Sequence, residues 1–388
     1  MRLCYNAGPG DPMAEPFKNL IAPALVRTAA RHLRRVWSAF PQQRFEQMAV
    51  DGLERLELKQ RVRHVATALA ATLPDDFPRA ADVLEAVLAP PRDDTDLGAL
   101  RCGADGLAGW IVWPMTEFVA QRGLAQPVRA LRALHALTQR STAEFAIRPF
   151  LIEHEALTLA TLRAWLDDPS AHVRRLVSEG SRPRLPWGIR LQRFCADPAP
   201  TLPLLERLQD DPSDYVRRSV ANHLNDIAKD HPEVVVAWLA RHLPAAPSAR
   251  RALLKHASRT LVKKGHRAVL AAWGVDRALR GEATLTIEPA RVRIGGEVTL
   301  TVELHSRSRS AQALVVDYVV HQVRRGGATS PKVWKGWTPE LAAGERRTLR
   351  KRHSCKPVTT RVDHPGHHAV DLRINGRLVA QSGFELCD

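Results

Sequence analysis

Features that place a protein outside the cytosol are missing from this sequence of 388 residues. Its five cysteines are odd in number and scattered, and none forms a Cys-x-x-Cys pair. That usage argues against both a disulfide framework and a zinc site. No apolar run approaches the roughly 20 residues of a membrane-spanning helix, and the N-terminus lacks the apolar segment of a signal peptide. We therefore predict a soluble cytoplasmic protein with no membrane partner.

Acidic residues are also in short supply. The chain has 57 Lys+Arg against 41 Asp+Glu, a formal net charge of +16. The excess is spread along the chain, because residues 281–388 hold 17 basic and 11 acidic residues and the remainder holds 40 and 30. This balance favours a polyanionic partner, and nucleic acid is the first candidate.

One motif occurs twice. D-D-P-S-A-H-V-R-R at Asp167–Arg175 returns as D-D-P-S-D-Y-V-R-R at Asp210–Arg218, an offset of 43 residues that is typical of HEAT and armadillo repeats. Each copy predicts a turn followed by a helix. The paired arginines either form a basic ridge for a phosphate backbone or make salt bridges at solvated helix ends. These are Arg174, Arg175, Arg217 and Arg218.

The periodicity changes once along the chain. Residues 13–278 show the apolar spacing of helices, whereas residues 279–388 hold about seven short alternating runs, with Asn375-Gly376 as a hairpin signal. We predict a mostly α protein: a HEAT-like helical-repeat solenoid followed by a small all-β immunoglobulin-like sandwich. Residues 1–12 are expected to be a disordered leader. In the sandwich, Arg324 and Arg325 lie at a predicted turn, where they could contact a nucleic-acid backbone.

Two tryptophans and a carboxylate share one predicted helical segment. In a helix, Trp110, Trp113 and Glu117 would lie on one face. Pro114 predicts that the helix begins or kinks there. The tryptophans alone are more typical of a packed core, but a carboxylate among apolar residues indicates a cleft or an unfavourable desolvation. This trio is the candidate catalytic group.

A second proline, Pro149, directly follows the candidate residue Arg148. Ser141 and Glu144 form a capping-box signature that predicts a helix starting there, with Pro149 beyond its first turn and a kink beside Arg148. Arg148 is then either a clamp for a phosphate or carboxylate, or the internal ion-pair partner of Glu144.

The helix of the first repeat is followed by a loop rich in glycine and proline. Arg182, Arg184 and Trp187 in this loop combine cations with an aromatic ring, a mixture suited to nucleic acid. Glu179, just before the loop, either belongs to the same surface or pairs with Arg175 or Arg182. In the second repeat, Asn222 either contacts nucleic acid or bonds to the neighbouring repeat.

Four segments together resemble a known family. They are A-E-P-F-K-N-L at Ala14–Leu20, E-F-A-I-R-P-F at Glu144–Phe150, V-R-R-L-V-S-E-G-S-R-P-R-L-P-W at Val173–Trp187 and V-R-R-S-V-A-N-H-L-N-D-I-A-K-D-H-P at Val216–Pro232. These segments resemble AlkC-type DNA alkylation-repair glycosylases of the HEAT-like AlkC/AlkD superfamily, some of which carry a C-terminal immunoglobulin-like domain. The resemblance covers about residues 14–275.

The resemblance implies a function in base excision repair. It implies a monofunctional glycosylase that hydrolyses the N-glycosidic bond of cationic alkylated bases, 3-methyladenine and 3-methylcytosine, in double-stranded DNA. It also implies no metal, no cofactor, no full base flipping and no obligate protein partner, hence a nucleoid-associated monomer. Glu117 would face the developing charge while Trp113 or Trp110 packs on the deoxyribose. Arg148, Glu179 and Trp187 would hold the DNA.

A non-catalytic HEAT-repeat DNA-binding or scaffold protein is the alternative. Such a protein would need the arginines, but a carboxylate in a basic groove would only repel phosphate. Glu117 therefore separates the two hypotheses.

Overall fold

A computed structural model describes residues 16–92, 99–357 and 364–388. The expected leader, residues 1–12, lies outside these ranges, as do the first two residues of the segment at Ala14–Leu20. The chain divides into two compact units, one ending at Asp226 and the other running from Ile227 to Asp388. The change from helices to strands comes later, near Gly281. The domain boundary expected at 278/279 therefore remains a prediction.

Helices make up the first unit and the start of the second, as predicted. In the described ranges the helices are α1 Pro23–Val36, α2 Gln42–Val50, α3 Leu58–Ala70, α4 Phe77–Ala86, α5 Val112–Arg122, α6 Pro127–Thr138, α7 Arg148–Glu153, α8 Glu155–Ala164, α9 Ala171–Gly180, α10 Gln192–Ala196, α11 Leu202–Leu208, α12 Asp214–Ile227, α13 Pro232–His242, α14 Ser248–Ala257, α15 Arg259–Lys263 and α16 Arg267–Ala272. Where the structure describes the chain, no helix is long and apolar enough to cross a bilayer.

The two copies of the motif make equivalent contacts. Asp168 accepts a hydrogen bond from the amide of Ser170, two residues on, at 2.8 Å, and Asp211 accepts one from the amide of Ser213, also at 2.8 Å. Each turn leads into a helix, α9 or α12, whose first valine is fully buried. The repeat is therefore confirmed: Asx turns, which tie a side chain to the backbone two residues on, set the start of both helices.

Two helices begin later or end earlier than their patterns predict. Residues 144–147 form a turn, and α7 begins only at Arg148, so that Pro149 lies in its first turn and causes no kink. Proline is tolerated there because its missing amide would have no helical partner. The apolar spacing also predicts one helix over residues 249–265, but the structure divides this segment at Ser258 into α14 and α15. The Ser258 hydroxyl accepts a hydrogen bond from the Trp273 indole at 3.1 Å.

The second unit contains the β-sandwich. Its strands in the described ranges are β1 Gly281–Glu288, β2 Arg291–Arg293, β3 Glu297–Ser306, β4 Gln312–Ala313, β5 Val316–Val323, β6 Thr329–Trp337, β7 Glu340–Leu341, β8 Arg346–Ser354, β9 Gly366–Ile374 and β10 Arg377–Cys387. They form sheets of order β1-β3-β8 and β2-β10-β9-β5-β6, with β4 and β7 as a small pair. All seven predicted runs are strands.

The core of the sandwich follows from strand alternation. On β3, Val298, Leu300, Val302 and Leu304 are buried and alternate with more exposed residues, as expected for a strand with one face toward a partner sheet. The predicted hairpin is confirmed between β9 and β10. Asn375 and Gly376 have φ values of 51° and 76°, which a two-residue turn of the I′ type requires at both positions.

Candidate active site and nucleic-acid interface

The segment with Trp110 and Glu117 starts at a tight glycine turn. Gly109 has a φ of 76°, and its amide donates to the Arg140 carbonyl at 2.9 Å. A Cβ on Gly109 would lie 2.3 Å from the Leu100 carbonyl oxygen, so no larger residue fits there. Trp110 follows in a short 3₁₀ turn, and α5 then begins at Val112. Of the two outcomes expected for Pro114, the helix begins there.

The two predicted tryptophans lie together, and a phenylalanine from another segment joins them. The Trp113 ring stacks on Phe145 with a centroid distance of 5.1 Å and an interplanar angle of 22°. Trp110 is half-buried, and its ring lies 6.1 Å from that of Trp113. Trp113 is only 7% exposed, so its large face is mostly used in packing. We refer to Trp110, Trp113 and Phe145 as the aromatic cluster.

Glu117 is on the same face of α5 as Trp113, four residues further on. Its side chain is half-buried, and one carboxylate oxygen, Oε1, accepts a hydrogen bond from Gln121 at 3.0 Å. The other oxygen, Oε2, accepts none from the residues that the structure describes. The carboxylate is therefore accessible and retains an oxygen that can interact with a bound molecule.

A chain of ion pairs links α9 and the loop after it with α12 and with the segment before α7. Arg175 contacts Glu144 at 2.9 Å and Glu179 at 3.5 Å, and Arg182 contacts Glu179 at 2.7 Å and Asp226 at 2.8 Å. We call these five residues the buried ion network. It lies between the segment before α7, helix α9 and helix α12. Of the readings left open for Glu179, the structure shows the pairs with Arg175 and Arg182, whereas Glu144 pairs with Arg175 and not with Arg148.

Electrostatics keep this network charged in spite of its burial. Burial alone would raise the pKa of Glu179, but Arg175, Arg182 and the Ser219 hydroxyl outweigh it and lower that pKa to about 2. The hydroxyl donates to Oε2 of Glu179 at 2.6 Å. Burial lowers the pKa of the Arg182 and Arg175 guanidiniums, but Tyr215, Glu179 and Glu144 around Arg175, and Glu179 and Asp226 around Arg182, more than compensate, so both pKa values are raised. Arg175, Arg182 and Glu179 are thus ionised at neutral pH.

Arg148 is the most deeply buried of the predicted DNA-binding residues. It is 0% exposed, and its guanidinium donates to the carbonyls of Gly180 at 2.9 Å, Arg182 at 2.8 Å and Ile189 at 2.6 Å. Burial, followed by the nearby charge of Arg182, lowers its pKa to about 10. The expected phosphate clamp is contradicted, because a buried guanidinium bonded to backbone carbonyls cannot reach a phosphate. The alternative, a pair with Glu144, is replaced by these carbonyl contacts.

The paired arginines of the repeat do not form a free basic ridge. Arg174 donates to the carbonyls of Asp168 and Pro169 and to both carboxylate oxygens of Asp211, and Arg217 donates to the carbonyls of Asp211 and Pro212. The first arginine of each pair therefore closes the turn of its own repeat. Arg175 is buried against Glu144 and the Tyr215 ring.

Other predicted contact residues differ in accessibility. Arg182 is buried and serves the ion network, whereas Arg184 and Asn222 are half-buried. Arg218 is exposed and paired with the exposed Asp214. Arg324 and Arg325 are exposed at the turn between β5 and β6, where the sequence places them. Trp187 is 66% exposed.

Sequence reasoning missed two residues, Phe145 in the aromatic cluster and Lys59 beside it. Lys59, at the start of α3, lies with its Nζ 6.0 Å from the centroid of Phe145 and donates to the Trp187 carbonyl at 2.7 Å. Lys59 and Trp187 are 128 residues apart in sequence, and no local pattern relates them. The only sequence signal for Phe145 was its place in the segment Glu144–Phe150, which resembles the family. In the described ranges, no group of three or more His, Cys, Asp and Glu residues could hold a metal ion.

The chain is similar to known proteins over almost its whole length. A family profile described as "DNA alkylation repair enzyme" matches residues 139–261, and one described as "Uncharacterised protein YhaZ, C-terminal Ig-like domain" matches residues 282–388. The protein YhaZ of Bacillus subtilis (strain 168) is 35% identical over 376 residues, covering 95% of this chain and 99% of that protein.

A solved structure has the same fold. The Pseudomonas fluorescens alkylpurine DNA glycosylase AlkC, bound to DNA containing an abasic site analog, matches with a TM-score of 0.88 and 34% sequence identity. The match covers 96% of this chain and 100% of that chain. The predicted order of a helical part followed by an immunoglobulin-like domain is thereby confirmed.

Proposed function

Since this chain belongs to the DNA alkylation repair enzyme family, in the AlkC type with a C-terminal immunoglobulin-like domain, we propose that it is a monofunctional DNA glycosylase. It would hydrolyse the N-glycosidic bond of cationic alkylated bases, 3-methyladenine and 3-methylcytosine, and leave an abasic site in an uncut strand. Its substrate would be double-stranded DNA, bound by the chain as a monomer.

The accessible carboxylate of Glu117 beside the aromatic cluster is the observation that carries this proposal. Loss of a cationic base leaves positive charge on the sugar, and a nearby carboxylate stabilises that charge more in the transition state than in the ground state. Oε2 of Glu117 can also orient the attacking water. A binding-only protein gains nothing from this group, because a carboxylate repels the phosphates it would approach.

The packing of Trp113 supports a mechanism without full base flipping. A flipped base needs a pocket between aromatic or apolar side chains. Trp113 is instead stacked on Phe145 at 5.1 Å, which leaves no room for a base between the two rings. Trp110 is only half-buried, and its accessible part would pack on the deoxyribose. We therefore propose that the damaged nucleotide is attacked while its base remains in the duplex.

Contacts to DNA would come from the accessible members of the predicted set. An exposed tryptophan offers an uncharged surface to sugars and base edges, and exposed arginines offer charge to phosphates. In the first unit these are Trp187, Arg184, Arg218 and Asn222, and in the second unit Arg324 and Arg325. The buried arginines and Glu179 would act on DNA only by holding the framework.

Release of 3-methyladenine from methylated duplex DNA tests the proposal. We expect the variants Glu117→Gln and Glu117→Ala to lower the single-turnover rate by about a hundredfold or more, the range found for a positioned acid–base or electrostatic group. The exposed Glu153, replaced in Glu153→Gln, is the control and should retain the parental rate. The product strand should break only after treatment with alkali.

Two results would contradict the proposal. Parental rates in both Glu117 variants would show that this carboxylate is not catalytic. No base release by the parent, with DNA binding retained, would favour the non-catalytic DNA-binding alternative.

A further inference from the structure

Trp187 has an unusual backbone conformation. Its φ is 66°, in the left-handed region that a bulky side chain rarely occupies. Its side chain is nevertheless 66% exposed, so burial of the ring does not compensate for the strain. Strained conformations persist only where surrounding contacts over-determine them, and they concentrate at functional sites. The contacts that hold Trp187 are therefore informative.

Most of these contacts come from Arg148, at the start of α7, and from the loop around Trp187 itself. The Arg148 guanidinium donates to the carbonyls of Arg182 and Ile189, at the two ends of the loop, and to the carbonyl of Gly180 just before it. The amide of Gly188 donates to the Leu185 carbonyl at 3.1 Å. A Cβ on Gly188 would come within 3.2 Å of the Arg148 Nε, so the loop is packed tightly on this side chain. We call residues 182–191 the Trp187 loop.

The remaining contact comes from a distant helix. Lys59 lies at the start of α3, and its ammonium donates to the carbonyl of Trp187 itself at 2.7 Å. This bond acts on the strained residue directly, whereas Arg148 holds the residues around it. An ammonium-to-carbonyl bond is charge-assisted and stronger than a neutral one.

Lys59 also lies beside the Phe145 ring of the aromatic cluster. Its Nζ lies 6.0 Å from the centroid of Phe145, which stacks on Trp113. One ammonium therefore contacts both the Trp187 loop and the aromatic cluster beside Glu117. Rotating Lys59 away would release both contacts at once.

We propose that Lys59 is a positioning residue that fixes the Trp187 loop relative to the aromatic cluster, so that the Trp187 ring meets DNA beside Glu117. This inference rests on the proposed function, because it takes DNA as the partner. Lys59 acts through Trp187 rather than by binding a phosphate. The loss of DNA affinity on replacing Lys59 should therefore require the Trp187 ring. Its salt dependence should be no larger than that expected from removing one surface charge.

The test is a double-mutant cycle on DNA affinity with undamaged duplex DNA over a series of NaCl concentrations. We expect Trp187→Ala to weaken binding about tenfold, the order found when an aromatic contact to nucleic acid is removed. Lys59→Met should weaken binding by about threefold to tenfold in the parent and have little further effect in Trp187→Ala. Lys59→Arg retains a donor for the carbonyl and should restore most of the affinity.

Arg63→Met is the matched charge control. Arg63 is exposed and lies one turn after Lys59 on the same helix, without a contact to the Trp187 loop among the described residues. Arg63→Met removes one surface charge, so any change in affinity that it causes should become smaller as the salt concentration rises. That change should be the same in the parent and in Trp187→Ala. Cleavage by chymotrypsin after Trp187 should accelerate in Lys59→Met and not in Arg63→Met.

Additive effects of Lys59→Met and Trp187→Ala would overturn the proposal, as would a Lys59→Met variant whose loss of affinity vanishes at high salt. Both results would make Lys59 a phosphate contact. These measurements do not use base release. A parent that binds DNA but releases no base would refute the glycosylase function, and the cycle would still decide the role of Lys59.

Discussion

Replacing Glu179 by glutamine should destabilise the first unit without altering the proposed catalytic group. The substitution preserves shape and removes one charge from the buried ion network. Oε1 of Glu179 lies 2.7 Å from Arg182 and 3.5 Å from Arg175, and Oε2 accepts from Ser219 at 2.6 Å. Both arginines would remain buried with one carboxylate each.

Two independent routes give the magnitude. Removing one partner of a buried ion pair costs about 3–5 kcal/mol. The pKa of Glu179 is lowered from 4.5 to about 2, and at about 1.4 kcal/mol for each pH unit the ionised form contributes about 3 kcal/mol at neutral pH. Because the pKa in the folded protein is depressed, this contribution is present above pH 4.5 and is lost as pH falls toward 2.

Urea unfolding followed by tryptophan fluorescence, at pH 7 and at pH 3, measures both effects. We expect Glu179→Gln to lower the free energy of unfolding by about 3 kcal/mol at pH 7 and by less at pH 3. The exposed Glu54, replaced in Glu54→Gln, is the control. A loss below about 1 kcal/mol at pH 7, or an equal loss at both pH values, would refute the argument that Glu179 holds the framework by charge.

Two further predictions concern one residue in each unit. Burial, followed by the charge of Arg182, lowers the pKa of His223 to about 3, so its neutral form contributes stability above pH 6.5 that is lost as pH falls toward 3. His223→Gln should therefore reduce the slope of unfolding free energy against pH, between pH 6.5 and 5, by about 1.4 kcal/mol per pH unit. An unchanged slope in urea titrations would contradict this. In the second unit, Asn375 accepts from the Val315 amide and donates to the Arg277 carbonyl, each at 2.8 Å, with a φ of 51°. Asn375→Ala should lower the free energy of unfolding by about 2 kcal/mol in thermal or urea unfolding. Asn375→Gly should lower it by less, because glycine tolerates that φ. Equal losses in the two variants would exclude backbone strain as a contributor.

Patterns with a local physical cause were readable in the sequence. The Asp-Asp-Pro-Ser turns were readable because an Asx turn depends on residues two apart. The Asn375-Gly376 hairpin was readable because few residues adopt a positive φ. The spacing of Trp113 and Glu117 on one helix face was readable for the same reason. Helix ends were less readable: a capping-box signature predicts the start of α7 at Ser141, whereas the helix begins at Arg148, and the segment 249–265 is divided at Ser258.

The roles of the charged residues were decided by tertiary structure. A sequence shows that Arg148, Arg174, Arg175 and Arg182 are cations, and a net charge of +16 favours nucleic acid for all of them alike. The fold instead pairs them with carbonyls and carboxylates that lie 31 to 44 residues away in the sequence. Charge is a property of a residue, but desolvation and pairing are properties of its surroundings. Composition therefore favoured nucleic acid as the class of partner, and only the packed structure showed which cations are accessible and that Lys59 donates to the Trp187 carbonyl.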